Sequence, residues 1–129
     1  MPVKLNHTIV HSKDKRASAE FVADVLGLGK PKPFGPFLDV DTGNEVTLAF
    51  LDAGDMEIQM QHYAFLASDS EFDRIFGRVQ ARGLDYWADP GQKVKGQINH
   101  HYNGRGVYFE DPSGHLLEVI TTPYGESLP

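Results

Sequence analysis

The chain has 129 residues, no cysteine and a formal net charge of −6 at pH 7, which fits one ordinary domain and excludes disulfides and thiolate sites. The negative charge argues against nucleic acid or an anionic membrane as a partner, and no apolar stretch approaches the roughly 18 residues that span a bilayer. Because the start, Met1-Pro2-Val3-Lys4, also lacks the apolar region of a signal peptide, we expect a cytoplasmic protein that forms a single domain over residues 1–129.

The first half of the chain predicts a strand, a helix and further strands, in that order. Residues 5–11 alternate between apolar and polar side chains, as a half-buried strand does. In residues 15–26 the apolar side chains share one helical face, and Gly27 follows where a helix C-cap glycine belongs. The rest of this half predicts a proline-rich edge strand or loop and two strands joined by a glycine turn: residues 28–36, 37–41 and 46–51.

The second half repeats this order. A predicted strand at 62–66 precedes Ser68-Asp69-Ser70-Glu71, which has the form of a capping box at a helix start. Apolar residues at helical spacing follow, and Gly83 then takes the place that Gly27 has in the first half. A long polar run at about 88–105 is typical of a lid or binding loop. Two closing strands complete the repeat: 107–109 and 116–121. We therefore predict an α+β fold of two modules, about 3–60 and about 61–125.

Three potential metal ligands fall on these predicted strands. His7 lies on the first strand, His62 holds the matching place in the second half, and Glu118 lies on the last strand. Strand alternation gives each of them apolar neighbours on its face, where a bare carboxylate is costly to desolvate. Two imidazoles and one carboxylate form a facial triad that leaves coordination positions open. The pattern predicts a site for one divalent ion: Fe²⁺, Mn²⁺, Zn²⁺ or Ni²⁺.

Three segments give the chain a family likeness: Leu5-Asn6-His7, Gln61-His62-Tyr63-Ala64-Phe65, and the run 106–118. With them the chain resembles the vicinal oxygen chelate superfamily of glyoxalase I, bleomycin-resistance proteins, fosfomycin-resistance enzymes and type I extradiol dioxygenases. The resemblance implies two βαβββ modules that form an open, cupped barrel around the metal. It implies His7, His62 and Glu118 as ligands. It also implies a homodimer, in which one subunit could supply His7 and the other His62 and Glu118.

A more specific likeness is to the extradiol dioxygenase signature: Asn99-His100-His101, Val107-Tyr108, Asp111-Pro112-Ser113-Gly114 and Glu118. In those enzymes the histidine and the tyrosine line the site and hydrogen-bond substrate and oxygen, so these roles fall on His101 and Tyr108. Two departures stand out at strand 46–51. The further active-site histidine of extradiol enzymes is absent there. The positions that match the glutamate ligand of glyoxalase I lie near Leu48 and Ala49, whose side chains cannot bind a metal. Whether Glu57 is a fourth ligand stays open. Fosfomycin-resistance enzymes have a threonine where this chain has Ile9.

The predicted donor set indicates the substrate class. Around a divalent ion it leaves a net charge of about +1, which favours a small substrate that chelates through two adjacent oxygens. We expect a metal-dependent enzyme that leans to dioxygenase-like chemistry. The alternatives are a glyoxalase-like lyase or isomerase and a drug- or metabolite-sequestering protein of the bleomycin-resistance type. Other expectations concern single residues. Tyr86 or Trp87 should face the site, Tyr124 in the C-terminal tail could cover it, and Arg105 could meet an anionic substrate or be solvated.

Overall fold

The computed structural model describes residues 3–125 and divides the chain into two compact units, with the division after Gln59. The predicted α+β class is confirmed by two helices and two mixed sheets of four and three strands. The predicted single domain, 1–129, includes Met1, Pro2 and residues 126–129, which lie outside the described residues. Met1 and Pro2 also belong to the segment from which we expected no signal peptide. Neither helix in the described part of the chain has the length and apolar character needed to cross a bilayer.

The first unit is a four-stranded sheet with one helix. Its elements are β1 (His7–Ser12), α1 (Lys15–Leu26), β2 (Lys32–Phe34), β3 (Phe37–Asp41) and β4 (Thr47–Asp52). The strand order is β1-β4-β3-β2, with β1 parallel to β4 and the other pairs antiparallel. The proline-rich segment thus forms a short edge strand, where missing backbone donors cost least.

Local sequence explains both ends of α1. The Asp14 side chain accepts hydrogen bonds from the backbone N–H groups of Arg16 and Ala17, which satisfies donors that a helix start leaves free. Gly27 ends the helix with φ 72°, a left-handed conformation that favours glycine. The predicted helix, 15–26 with Gly27 as its cap, is therefore confirmed. Its apolar face contributes Val22 and Val25 to a core on one side of the sheet.

The second unit repeats the pattern with a reduced edge. It contains β5 (His62–Leu66), α2 (Asp69–Ala81), a short 3₁₀ turn (His101–Asn103), β6 (Gly106–Glu110) and β7 (Leu116–Ile120), in the sheet order β5-β7-β6. In place of an edge strand there are isolated antiparallel bridges, from Trp87 to Tyr108 and Lys95 and from Asn99 to Gly106. The reason lies in the next residues, because the Asp89 carboxylate accepts the N–H groups of Lys93 and Val94 and turns the chain away.

One face of this sheet is buried together with helix α2 and forms the core of the second unit. The Ser68 hydroxyl accepts the N–H of Glu71, which confirms the predicted cap. The helix buries Phe72, Ile75 and Val79, and the strand residues of one sheet face are buried with them: Val107, Phe109, Leu117 and Val119. Alternation leaves the opposite face for the residues of the candidate site.

Candidate functional site

Sheet register brings His62, Tyr108 and Glu118 onto one face of the second sheet. Glu118 lies on the central strand β7, directly opposite Tyr108 on β6 and Ala64 on β5. His62 precedes Ala64 by two positions, so strand alternation turns both toward the same face as Glu118. Three residues that are far apart in the sequence therefore converge because of the parallel β5–β7 and antiparallel β6–β7 pairings.

Glu118 is a buried carboxylate with a partner on each oxygen. Its side chain is 1% exposed, and its Oε1 lies 2.8 Å from His62 Nε2. Its other oxygen accepts a hydrogen bond from the Tyr124 hydroxyl. The Tyr108 and Tyr124 hydroxyl oxygens are 2.8 Å apart. A buried carboxylate is costly without such partners, and the side chain of His62 beside it is 41% exposed.

Both tyrosines keep their protons at neutral pH. Burial raises the pKa of Tyr108, and its hydrogen bonds with Tyr124 and Glu118 raise this pKa further. Burial also raises the pKa of Tyr124, and the adjacent Glu118 carboxylate adds to that effect. A phenol that stays neutral can donate its proton in a hydrogen bond without becoming an anion.

The His62–Glu118 pair fits a divalent cation. Two ligand atoms at about 2.0–2.2 Å from an ion and at right angles around it lie roughly 3 Å apart, and His62 Nε2 and Glu118 Oε1 are separated by 2.8 Å. One imidazole nitrogen and one carboxylate oxygen are also donors that the predicted metals accept. Across residues 3–125, no three or more histidine, aspartate and glutamate side chains form a group that could hold a metal ion.

His7, the third predicted ligand, lies in the first unit and is exposed at the start of β1. Its Nδ1 is 2.7 Å from Asn6 Oδ1. The amide oxygen can only accept, so the imidazole carries its proton on Nδ1 and leaves Nε2 free to act as a ligand. Alternation along a strand would place the neighbours Asn6 and His7 on opposite faces. Asn6 precedes the strand, and alternation does not govern it.

Of the other predicted residues, His101 lies in the second unit and Glu57 in the first. His101 is exposed in the 3₁₀ turn, and its ring contacts Tyr102, which in turn contacts Tyr124 with ring centroids 5.4 Å apart. Two aromatic rings thus separate His101 from the carboxylate, and its catalytic role stays a prediction. Glu57 is exposed in the first unit, and its possible role as a ligand is likewise untested.

Three aromatic or basic residues have definite places that the sequence left open. The Tyr86 ring packs against Phe76 of α2, at 5.1 Å between centroids, and so belongs to the helix side. Trp87, opposite Tyr108 in an antiparallel bridge, shares the face of the site. Arg105 pairs with Asp73 and Asp69 and stacks on the Phe72 ring. Because all three partners belong to α2, Arg105 is explained as a structural residue.

Replacing Tyr124 with phenylalanine is expected to lower the free energy of unfolding of the metal-free protein by about 1–3 kcal/mol, because one oxygen of the buried Glu118 loses its donor. Urea titration followed by circular dichroism measures this. Tyr102→Phe is the matched control, since it keeps the ring against Tyr124 and removes a hydroxyl that makes no hydrogen bond in the described part of the chain. Equal stability of the two variants would contradict the assigned hydrogen bond.

Comparisons with known proteins show the family and the fold. Residues 4–119 match the family model described as Glyoxalase/Bleomycin resistance protein/Dioxygenase superfamily. The solved structure of "Oxidase ChaP-H1" is 58% identical, with a TM-score of 0.94 over 97% of this chain and 100% of that one. "Oxidase ChaP-H2" is 54% identical, with a TM-score of 0.95 over 99% and 100%.

A curated relative points to a second branch. "Metallothiol transferase FosB" of Shouchella clausii (strain KSM-K16) is 33% identical over 78 residues, which is 60% of this chain and 49% of the relative. The chain spans about half the length of the first two curated relatives that it matches.

Proposed function

This chain belongs to the glyoxalase/bleomycin resistance protein/dioxygenase superfamily, and on that premise we propose that it is a divalent-metal-dependent enzyme that oxidises a small substrate. The substrate binds through two adjacent oxygen atoms, and the chemistry is of the dioxygenase or oxidase type. Two solved structures that are more than half identical to this chain are described as oxidases, which supports oxidative chemistry over isomerisation.

The observation that carries the proposal is the pairing of Glu118 with His62 in the second unit. The Glu118 carboxylate is 1% exposed, and its Oε1 lies 2.8 Å from the imidazole Nε2 of His62. These two atoms are spaced as neighbouring ligands of one metal ion are. We assign His62 and Glu118 as ligands together with His7, whose Nε2 is left free by the Asn6 hydrogen bond. A divalent ion held by this set would supply Lewis acidity toward the two substrate oxygens and, as Fe²⁺, redox chemistry.

The chain's own residues orient the substrate. Tyr108 stays protonated. Because Tyr124 donates its only proton to Glu118, the Tyr108 hydroxyl donates to Tyr124 in the free protein. On substrate binding this hydroxyl would instead donate to a substrate oxygen that develops negative charge. Trp87 lies beside Tyr108 on the same face and offers an aromatic surface to a planar substrate. The Tyr124 hydroxyl holds the second oxygen of Glu118, so that Oε1 alone faces His62.

We further propose that two copies of the chain share each site. The exposed apolar residues Leu5 and Ile9 lie on either side of His7, and Leu66 lies on the strand of His62. Such residues favour burial against a partner. In this arrangement His7 comes from one subunit, and His62 with Glu118 comes from the other.

Two family reactions receive less support. The place two residues after His7 is Ile9 instead of the threonine of fosfomycin-resistance enzymes, which argues against thiol transfer. The register places Ala49 in β4 where the second unit has Glu118 in β7. A glyoxalase-like reaction would therefore proceed without the usual glutamate at that place.

The test combines metal analysis with activity. Protein purified without chelator is expected to contain about one divalent ion per chain, and after anaerobic loading with Fe²⁺ it should consume oxygen when catechols are added. Zinc-loaded protein is the matched control and should consume none. Turnover of the hemithioacetal of methylglyoxal without oxygen uptake would identify the glyoxalase-like alternative. Absence of metal together with tight binding of a planar drug would identify a sequestering protein and overturn the proposal.

A further inference from the structure

Lys95 continues the row of site residues across the second sheet. On its strands, Ala64 lies opposite Glu118, and Glu118 lies opposite Tyr108. Two isolated antiparallel bridges extend this row, since Trp87 lies opposite Tyr108 and Lys95 lies opposite Trp87. Residues directly opposite one another on paired chains project from the same face. Lys95 therefore projects from the face that carries Glu118 and Tyr108.

Packing on the other face agrees with this assignment. The Tyr86 ring packs against Phe76 of α2, with ring centroids 5.1 Å apart. Neighbouring residues of an extended chain point to opposite faces. Trp87, and Lys95 opposite it, therefore lie on the face away from α2.

Backbone hydrogen bonds set the spacing along the row. Tyr108 and Trp87 exchange two of them, each 2.9 Å long, whereas the bonds around the Trp87–Lys95 pair belong to the flanking residues: Ala88 N–H to the Val94 carbonyl at 3.0 Å, and Gly96 N–H to the Tyr86 carbonyl at 2.8 Å. For these two kinds of antiparallel pair, the Cα atoms of Tyr108 and Lys95 are about 10 Å apart. The backbone of Lys95 is thus held in the extended sheet, and its ammonium group marks the outer end of the row.

The charge of Lys95 is available to a ligand. Its Nζ lies 3.3 Å from Asp85 Oδ1, and both side chains are 63% exposed. Such exposed ion pairs contribute little to stability, and an ammonium group has three donors, of which one carboxylate oxygen takes one. Lys95 can therefore pair with a second acidic group while Asp85 stays close.

Resting on the proposed function, we propose that Lys95 determines specificity by pairing with an acidic group at the end of the substrate remote from the metal. The substrate class is then an elongated aromatic compound with its chelating oxygens beside Glu118 and a carboxylate or similar anion at Lys95. Trp87, half-buried between Tyr108 and Lys95, offers an aromatic surface to the body of such a molecule. Lys95 is the one basic residue of the row, so the two ends of the row favour different groups.

The experiment compares wild type, Lys95→Met and the matched control Lys93→Met, all loaded with zinc so that no turnover occurs. Two probes share a catechol and a biphenyl body and differ in charge at the far end: 3′,4′-dihydroxybiphenyl-4-carboxylate and the corresponding carboxamide. Zinc content is measured first, and the Kd of each probe is then measured by calorimetry. Methionine removes the charge of a lysine and keeps most of its length, and Lys93 is an exposed lysine outside the row.

Wild type is expected to bind the carboxylate at least about fivefold more tightly than the carboxamide, because an ammonium–carboxylate hydrogen bond is charge-assisted. Lys95→Met should lose this preference while zinc content and the Kd of the carboxamide stay unchanged. Lys93→Met should keep the preference within about twofold of wild type. Asp85→Asn removes the competing carboxylate, so it should tighten binding of the carboxylate probe alone.

The remaining results count against the inference. Equal affinities of wild type for the two probes, or a preference that Lys95→Met retains, overturn it while leaving the proposed function intact. An equal loss of preference in Lys93→Met overturns it as a general charge effect, and loss of zinc from Lys95→Met overturns it as an effect on the metal site. A wild-type protein that holds no zinc overturns the proposed function and the inference with it. Should Lys95→Met fail to fold, Lys95→Gln replaces it with the same expected order of affinities.

Discussion

Replacing Glu118 with glutamine is expected to lower bound metal from about one ion per chain to less than a tenth and to reduce kcat/KM by about a thousandfold or more. The amide keeps the size of the carboxylate but removes its negative charge, which is the only one in contact with His62 within the described residues. A divalent ion would then meet neutral donors alone. Elemental analysis and oxygen uptake with a catechol, after anaerobic Fe²⁺ loading, measure the two effects.

Glu110→Gln is the control for this change. Glu110 lies on the neighbouring strand β6, and it is exposed and hydrogen-bonded to Gln92. The substitution alters net charge identically, so a general electrostatic effect on the fold or on metal uptake would appear in both variants. Wild-type metal content in Glu118→Gln, or activity above a tenth of wild type, would refute the assignment of Glu118 as a ligand.

Mixing the inactive variants His7→Ala and His62→Ala is expected to restore about a quarter of wild-type activity. If two copies share each site, random exchange makes half of the dimers mixed, and each mixed dimer has one site with both histidines intact. The measurement is oxygen uptake after the two variants are unfolded and refolded together. Each variant refolded alone should stay near background.

A second mixture tests the geometry. His62→Ala with Glu118→Gln should restore nothing, because both changes lie in the second unit and no arrangement of two subunits rebuilds the pair. If the first mixture also stays inactive while each variant folds and dimerises, the complete site lies within one chain. Recovery in both mixtures would rule out the assigned triad.

Periodicity and capping predicted most of the fold, because these signals are local. Helix α1 has the predicted bounds, with Gly27 as its C-cap, and α2 starts at the predicted Ser68 cap. The strands fall within one or two residues of their predicted positions, except β2, which occupies only Lys32–Phe34 of the proline-rich segment predicted at 28–36. From the same signals and the family likeness, we predicted His7, His62 and Glu118 as ligands and His101 and Tyr108 as catalytic residues. The structure brings His62, Tyr108 and Glu118 onto one sheet face, while the roles of all five residues stay predictions.

What escaped prediction depends on contacts between distant residues. The hydrogen bond between Asn6 and His7 depends on β1 starting at residue 7 instead of the predicted residue 5, a difference that apolar alternation cannot decide. His101 lies in a loop without periodicity, so its distance from the site was unconstrained. The strand pattern shows only that Asp39 alternates with the apolar Leu38 and Val40. That its Oδ1 is buried without a hydrogen-bond partner among residues 3–125 follows from the folded structure alone.

The second sheet has isolated bridges at Trp87 and Asn99 where the first sheet has an edge strand. The excursion after Trp87 leaves the sheet at the bridge to Tyr108 and returns at Asn99, which exchanges two backbone hydrogen bonds with Gly106. Insertions or substitutions between these anchor points leave the β5–β7–β6 ladder, and with it Glu118, untouched. A change confined to residues 88–98 is therefore expected to leave the strand that carries Glu118 in place.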